Sequence, residues 1–430
     1  MLYQSDHARR CGPKNSRCRC LARDKGVSLK VKQRREDFVV REISNRSYRT
    51  TGGSFAVYCL EKSGLGTVEA LQLAKRSWNQ VGHQISDSQI GYGGRKDRHA
   101  VTTQTVSIHG GPQEGLEEKQ FSLRYLGQAP RAFTAQDIEA NEFDLRLRNM
   151  TREQATNWIM TSVKLSNSTD APPIANYFDE QRFGSVGESG EFVARAWCLA
   201  DYEKALFLAL AEPNQHDLPG EVEQKRILRD FWGSWDECKA QLERSNRRSV
   251  ITYLCDHPKG FKKAAALISR DMRSIYVSAF QSRIWNEMLV TLILGKTDQV
   301  LSRETLGGTL ACPTTGDGLE ELLSGDLPLP SSRPTKWKPE AKKVLQQVCQ
   351  NYGMAPHQLR FSHPRDVFFS RASRPMFLQV SEFQANMSDD ELAGGEESSH
   401  NQKIGLKFQL PAGQYATMLV RTLEMHAQQC

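Results

Sequence analysis

The sequence predicts a mixed α/β protein of more than one domain, and three observations carry that expectation. Some segments alternate apolar and polar residues with the period of a half-buried strand, as Phe143, Leu145 and Leu147 do against Asp144, Arg146 and Arg148. Others follow helical spacing, as between Ser278 and Leu294, where Phe280, Ile284 and Met288 share one face. From about Val186 to Arg365 the character shifts toward helices and irregular connections, which marks a second domain inserted into the first. The chain has 430 residues, long enough for two or three domains each with its own core.

In chain order, Phe38 to Val40 and Phe55 to Leu60 read as strands, with Gly52 and Gly53 between them. Thr67 is placed to cap a helix whose apolar positions are Val68, Leu71 and Ala74. Thr105 to Ile108 alternates as a strand, and Thr151 starts a helix through Ile159. After Pro172 and Pro173, the stretch Asn176 to Ser185 mixes aromatic rings, Arg182 and glycine, which suits either a packed turn or RNA contact. Glu191 to Leu210 and Ser278 to Leu294 read as helices, and Pro313 to Pro339 as a long surface loop. Met376 to Phe383 and Ile404 to Leu410 alternate as strands, and Tyr415 to Met425 begins a helix. The acidic stretch Met387 to His400 between those strands predicts a mobile loop that would repel phosphate. The expected domains are a basic, disordered extension over 1–28, a first domain over 29–185 and 366–430, and the insertion over 186–365.

Composition narrows the class. With 39% hydrophobic and 25% charged residues the chain reads as an ordinary globular protein. No apolar run approaches the roughly 18 residues of a membrane span, and the N-terminus lacks the apolar core of a secretory signal, so a cytoplasmic protein is expected. The ten cysteines follow no framework spacing, which argues for reduced thiols. Cys11, Cys18 and Cys20 cluster, but His7 is the only candidate fourth ligand, so a disordered extension is preferred to a metal site there. The net charge of +7 is uneven: between Arg9 and Arg35 the basic residues face Asp24 alone, which suits a polyphosphate partner. Nothing asks for an obligate protein partner, and a monomer is expected.

Ile90 to Gln104 is the stretch with the most chemistry. Asp97 sits among Arg95, Lys96, Arg98 and His99 after the glycines Gly91, Gly93 and Gly94. Such a carboxylate stays ionised and can act as nucleophile or base beside a polyanion. Taken alone, the pattern also fits a solvated loop. In an extended segment Lys96 and Arg98 would point away from Asp97, toward phosphate.

Four further motifs recur in order: Glu36 to Val40, Asn141 to Phe143, Asn176 to Phe178 with Gln181 to Gly184, and Leu410 to Thr417. Together with Ile90 to Gln104 they resemble the TruD family of tRNA pseudouridine synthases, from about Lys32 to Leu423. That resemblance implies a catalytic domain with a largely antiparallel sheet, interrupted by a second α/β domain, with RNA in a cleft between them. It implies uridine 13 of the tRNA D-arm as substrate and Asp97 as the catalytic carboxylate. Phe38, Asn141 and Tyr415 would line the pocket and Phe143 would stack on the base, although Phe38 and Phe143 suit the core equally well. Lys32 and Arg421, each within the span of the resemblance, are the candidate electrostatic partners of Asp97, and Arg95, Lys96 and Arg98 the candidates for the RNA backbone. Departures from the family pattern are Arg35 for proline, Ala140 for glycine and Tyr415 for phenylalanine, and none removes a group the chemistry needs.

The implied isomerisation breaks a C–N glycosidic bond, turns the base and reforms the link through carbon, so no cofactor or metal is expected. It needs a carboxylate and a pocket that retains the freed uracil, with the target base flipped out of its stack. Two rivals remain: a catalytically silent RNA-binding or RNA-folding module, and a hydrolase that releases the base, which would need a second carboxylate to activate water.

Overall fold

The computed structural model describes residues 19–20, 30–31, 33–49, 52–167, 171–361, 363, 366–392 and 401–429. Contacts divide the chain into two compact units, Asp24–Asn176 with Phe377–Cys430, and Met1–Arg23 with Tyr177–Met376. Composition alone sets the corresponding boundaries at 185/186 and 365/366. Of the basic extension, Arg19–Cys20 forms a short strand parallel to Leu301–Ser302; Cys11, Cys18, His7 and most of 1–28 lie outside the described residues. Among the described residues no helix is long and apolar enough to cross a membrane.

The unit that carries Asp97 is built on one sheet, ten strands among the described residues. Its main members are β1 (Phe38–Ser44), β2 (Phe55–Ser63), β3 (Ile90–Tyr92), β4 (Val101–His109), β5 (Phe121–Ala129), β6 (Ile138–Met150), β7 (Ser381–Asp389) and β8 (Gln402–Pro411). Three helices accompany them: α1 (Thr67–Gln80), α2 (Arg152–Asn167) and α3 (Ala416–Ala427). The order across the sheet is β7, β8, β6, β1, β4, β2, β5, with β3 paired on β4. β1 and β4 run parallel, and the other pairs are antiparallel.

Alternation explains which face is covered. In β2, Ala56, Tyr58, Leu60 and Lys62 are each no more than 2% exposed, and in β6 Phe143, Leu145 and Leu147 are buried. Residues directly opposite share a face, so Lys62 opposite Thr102, Thr102 opposite Val40, and Val40 opposite Phe143 form one row across the sheet. Toward β2 and β5 this face packs on Leu71, Ala74 and Trp78 of α1. Toward β6 and β8 it packs on Trp158 of α2 and Leu419 and Leu423 of α3.

Several boundaries differ from expectation. β7 begins at Ser381 rather than Met376 and runs to Asp389, into the acidic stretch. The rest of that stretch does not simply face away: Asp390 and Glu391 reach Arg148, while 393–400 lie outside the described residues. Arg148, one of the polar positions in the alternation of a half-buried strand, is nevertheless 3% exposed because three carboxylates surround it: Asp37 at 2.8 Å, Asp390 at 2.6 Å and Glu391 at 3.1 Å. These bonds, to Asp37 first, raise the Arg148 pKa, and Lys403 and then Arg148 hold Glu391 down to about 2.

In the second unit the helix Arg270–Leu294 is longer than its spacing showed, and Phe280, Ile284, Trp285, Met288 and Leu289 on it are fully buried. Asn286 clamps the backbone of Phe178, accepting from its N–H at 2.9 Å and donating to its carbonyl at 3.0 Å. The aromatic motif at Asn176–Ser185 is therefore packed, with Tyr177 and Phe183 buried. The expected helix over 191–210 is two, Val193–Cys198 and Tyr202–Leu210, broken where Ala200 adopts φ +59°. The expected loop 313–339 contains the helix Glu320–Leu323 and the strand Asp326–Pro328.

Candidate active site

Asp97 stands in the connection from β3 to β4, as the sequence led one to expect. It is half-buried, and one oxygen of its carboxylate accepts the His99 N–H at 2.8 Å, closing the turn at Arg98 and His99. The connection is held on the sheet face between α1 on one side and α2 with α3 on the other, because polar side chains of the sheet and α1 grip its backbone. Lys62 of β2 donates to the carbonyl of Asp97 at 2.9 Å and to that of Leu65 at 2.7 Å. Gln104 of β4 donates to the carbonyl of Gly94 at 3.1 Å. Thr67 accepts the Lys96 N–H at 2.8 Å and donates to Gln104 at 2.7 Å. Gly93 lets the loop approach the sheet edge closely: a Cβ there would fall 2.4 Å from Cδ1 of Ile138 and push that side chain aside, whereas one at Gly94 would meet open space.

Thr67 was expected as the cap of α1, but Gly66 occupies that position and Thr67 is the first helical residue. Its hydroxyl is thereby left for the loop.

Lys96 is turned inward rather than toward phosphate. Its ammonium lies 2.8 Å from the Glu42 carboxylate, whose side chain has no exposure, and it donates to Oδ1 of Asn141. The loop is not extended, so the outward direction inferred for Lys96 does not hold, and a buried carboxylate draws the cation in. Glu42 also accepts the Thr105 N–H at 3.0 Å. Arg95 and Arg98 are exposed, and Arg98 pairs with Glu69.

Lys62 is 1% exposed, and its hydrogen bonds are to two neutral carbonyls. Burial pushes its pKa down to about 8; Asp97 pulls against that and Lys96 adds to it. Lys62, Glu42 and Gln104 were not singled out from sequence, and Thr67 was read only as a helix cap. For Lys62 a signal was there, since it occupies the inward register of Ala56, Tyr58 and Leu60.

Glu42 lies opposite Asn141, and Asn141 opposite Leu410, so Asn141 shares the loop's face of the sheet. Phe38 lies on the same face in β1, 7% exposed. Phe143 is 8% exposed, stacked on Phe408 at 5.3 Å and edge-on to Phe38 at 6.3 Å. Of the two roles left open for Phe143, these contacts are those of a core residue. Tyr415, half-buried, is the residue from which α3 starts, just past the end of β8. Arg421 is half-buried on α3, and Lys32 lies outside the described residues. The whole offers a carboxylate on a gripped backbone, with the buried Lys62 ammonium acting on it and the part-buried Lys96 bonded to Asn141 on the same loop and sheet face.

Comparison with known proteins identifies the family and the fold. The family model described as tRNA pseudouridine synthase D (TruD) matches residues 17–313. A relative assigned as tRNA pseudouridine synthase D in Methanococcus maripaludis is 26% identical over 409 residues, covering 91% of this chain and 98% of its own. The tRNA pseudouridine synthase D of Aquifex aeolicus is 26% identical over 411 residues, with 92% and 98% covered. In fold, the chain matches a crystal structure from Methanosarcina mazei assigned to the same family, with a TM-score of 0.69, 22% identity and 92% and 93% of the chains covered. The chain thus belongs to the TruD family of tRNA pseudouridine synthases, isomerases that act on RNA.

Proposed function

We propose that this enzyme converts uridine 13 in the D-arm of tRNA to pseudouridine, with Asp97 as the catalytic carboxylate. What carries the reading is the loop itself: its backbone is gripped by Lys62, Gln104 and Thr67, so the Asp97 carboxylate is held in place before substrate arrives. In the reaction the C–N bond between sugar and uracil breaks, the base turns, a C–C bond forms at carbon 5, the hydrogen of carbon 5 leaves as a proton, and the freed ring nitrogen N1 takes up a proton. Electrons balance without an oxidant. Asp97 would serve by attacking the base or sugar or by taking a sugar proton. Asn141, Tyr415 and Phe38 would surround the uracil, with Phe143 beneath them. Arg95 and Arg98, both exposed, would meet phosphate.

The test is Asp97→Asn, which keeps the shape and removes the base. With excess enzyme and tRNA carrying tritium at carbon 5 of uridine, the unmutated protein should release tritium and the variant should release none while still binding tRNA. Release by the variant at the unmutated rate would remove Asp97 from the chemistry. Sequencing the product for pseudouridine tests position 13.

A further inference from the structure

The second unit contains a cavity of about 580 Å³ whose composition nothing above uses. Its floor is apolar: Leu359, Val367 and Phe369 are buried there. Phe368, between two of those buried residues, also lines the cavity but is 76% exposed, so its ring is open to a ligand. Phe361 is held at the same cavity by edge and tilted contacts to Trp197 and Phe369. Around the rings stand Arg333, Arg360 and Arg371, all exposed, and none has a side-chain ion pair among the described residues. Among the described residues no carboxylate lines the cavity, and the neighbouring Asp366 is paired with Arg273.

We propose that this cavity is a second tRNA-recognition site, in which an unpaired base stacks on Phe368 while the three arginines hold the flanking phosphates. Rings and guanidinium groups together suit single-stranded nucleotides: the ring takes the face of a base and the cations take the backbone. A membrane surface would not need the concave shape, and an acidic peptide would leave the exposed ring unused. The site rests on the reading that tRNA is the substrate, but its binding can be measured apart from catalysis.

The experiment uses the full chain and a tRNA transcript, with the Kd from filter binding and tritium release followed separately. Phe368→Ala should raise the Kd about tenfold, and Phe368→Trp should bind like the unmutated chain. Replacing Arg333, Arg360 and Arg371 by glutamine should reduce the salt slope of binding by about 2 to 3. Because Phe368 is exposed, its loss leaves the core intact. Unchanged affinity in Phe368→Ala would overturn the proposal and leave the cavity to a protein partner. An effect of the arginine variants alone would also overturn it, as phosphate attraction without base stacking. Failure of tritium release in the unmutated chain would count against the catalytic reading, while the Phe368 comparison would still be readable.

Discussion

Two cations are buried against the same sheet, and they are held in opposite ways. Arg148 meets three carboxylates from distant parts of the chain, and its charge is locked in. Lys62 meets two carbonyls, and burial pushes its pKa down to about 8. An ion surrounded by opposite charge serves to join segments. One surrounded by neutral groups is poised to lose its proton, and such a poise near a carboxylate belongs to a working site. The difference between fastening and functioning is therefore visible in what each cation touches.

The contrast can be broken most forcefully at Arg148. Arg148→Met leaves Asp37 and Asp390 buried without their cation, so unfolding in urea should show a loss of about 3–5 kcal/mol. A loss under about 1 kcal/mol would mean that solvent replaces the arginine. Lys62→Met should do the reverse: stability should change by no more than about 1 kcal/mol. Single-turnover pseudouridine formation should fall about a hundredfold as Asp97 loses its anchor and its nearby charge.

The pH dependence sharpens the same comparison. The folded Lys62 loses its proton near pH 8, while the unfolded lysine keeps it to about 10.5. Between those values the unfolded state binds more protons, so this group's contribution to stability rises with pH, and below pH 8 it is constant. Activity should move the other way and decline above about pH 8 as the ammonium is lost. Both trends should vanish in Lys62→Met and persist in Arg148→Met. An alkaline limb that survives in Lys62→Met would assign it to another group.

The smallest effect is expected at Thr67. Thr67→Val removes the acceptor for the Lys96 N–H and the donor to Gln104, and should cost about 1 kcal/mol in thermal unfolding. The rate should fall more than that loss of stability would suggest, because the loop rather than the fold is loosened. Equal activity would mean that Lys62 and Gln104 alone hold Asp97.

Much of this was legible in the sequence because it is periodic or local. The alternation of Phe143, Leu145 and Leu147 gave β6, and glycines before a charged run placed Asp97 in a loop entering a strand. What escaped depends on partners far along the chain. Lys96 points inward because Glu42 is buried beneath it, and no spacing within 90–104 reveals that. Arg148 reads as a surface residue until Asp37 and Asp390 are brought beside it. Thr67 has the residue type of a cap, and only the path of the loop explains why its hydroxyl is used elsewhere. The start of β7 was misjudged because Met376 and Phe377 are buried by packing outside a strand of the sheet.

The pairing of β6 with β8 joins Leu145 to Leu406 and Phe143 to Phe408, residues separated by the Tyr177–Met376 segment of the second unit. During synthesis, β6 must therefore leave the ribosome with one edge open, and it stays open until Gln402–Pro411 has been made. The Arg148 cluster cannot assemble before Asp390 appears. A nascent chain stopped before Gln402 would thus carry Asp97 but neither its completed sheet nor α3, and it would expose a long apolar strand edge prone to association. Isomerase activity is in this sense a late acquisition, gained only when β8 and α3 have joined the sheet that carries Asp97.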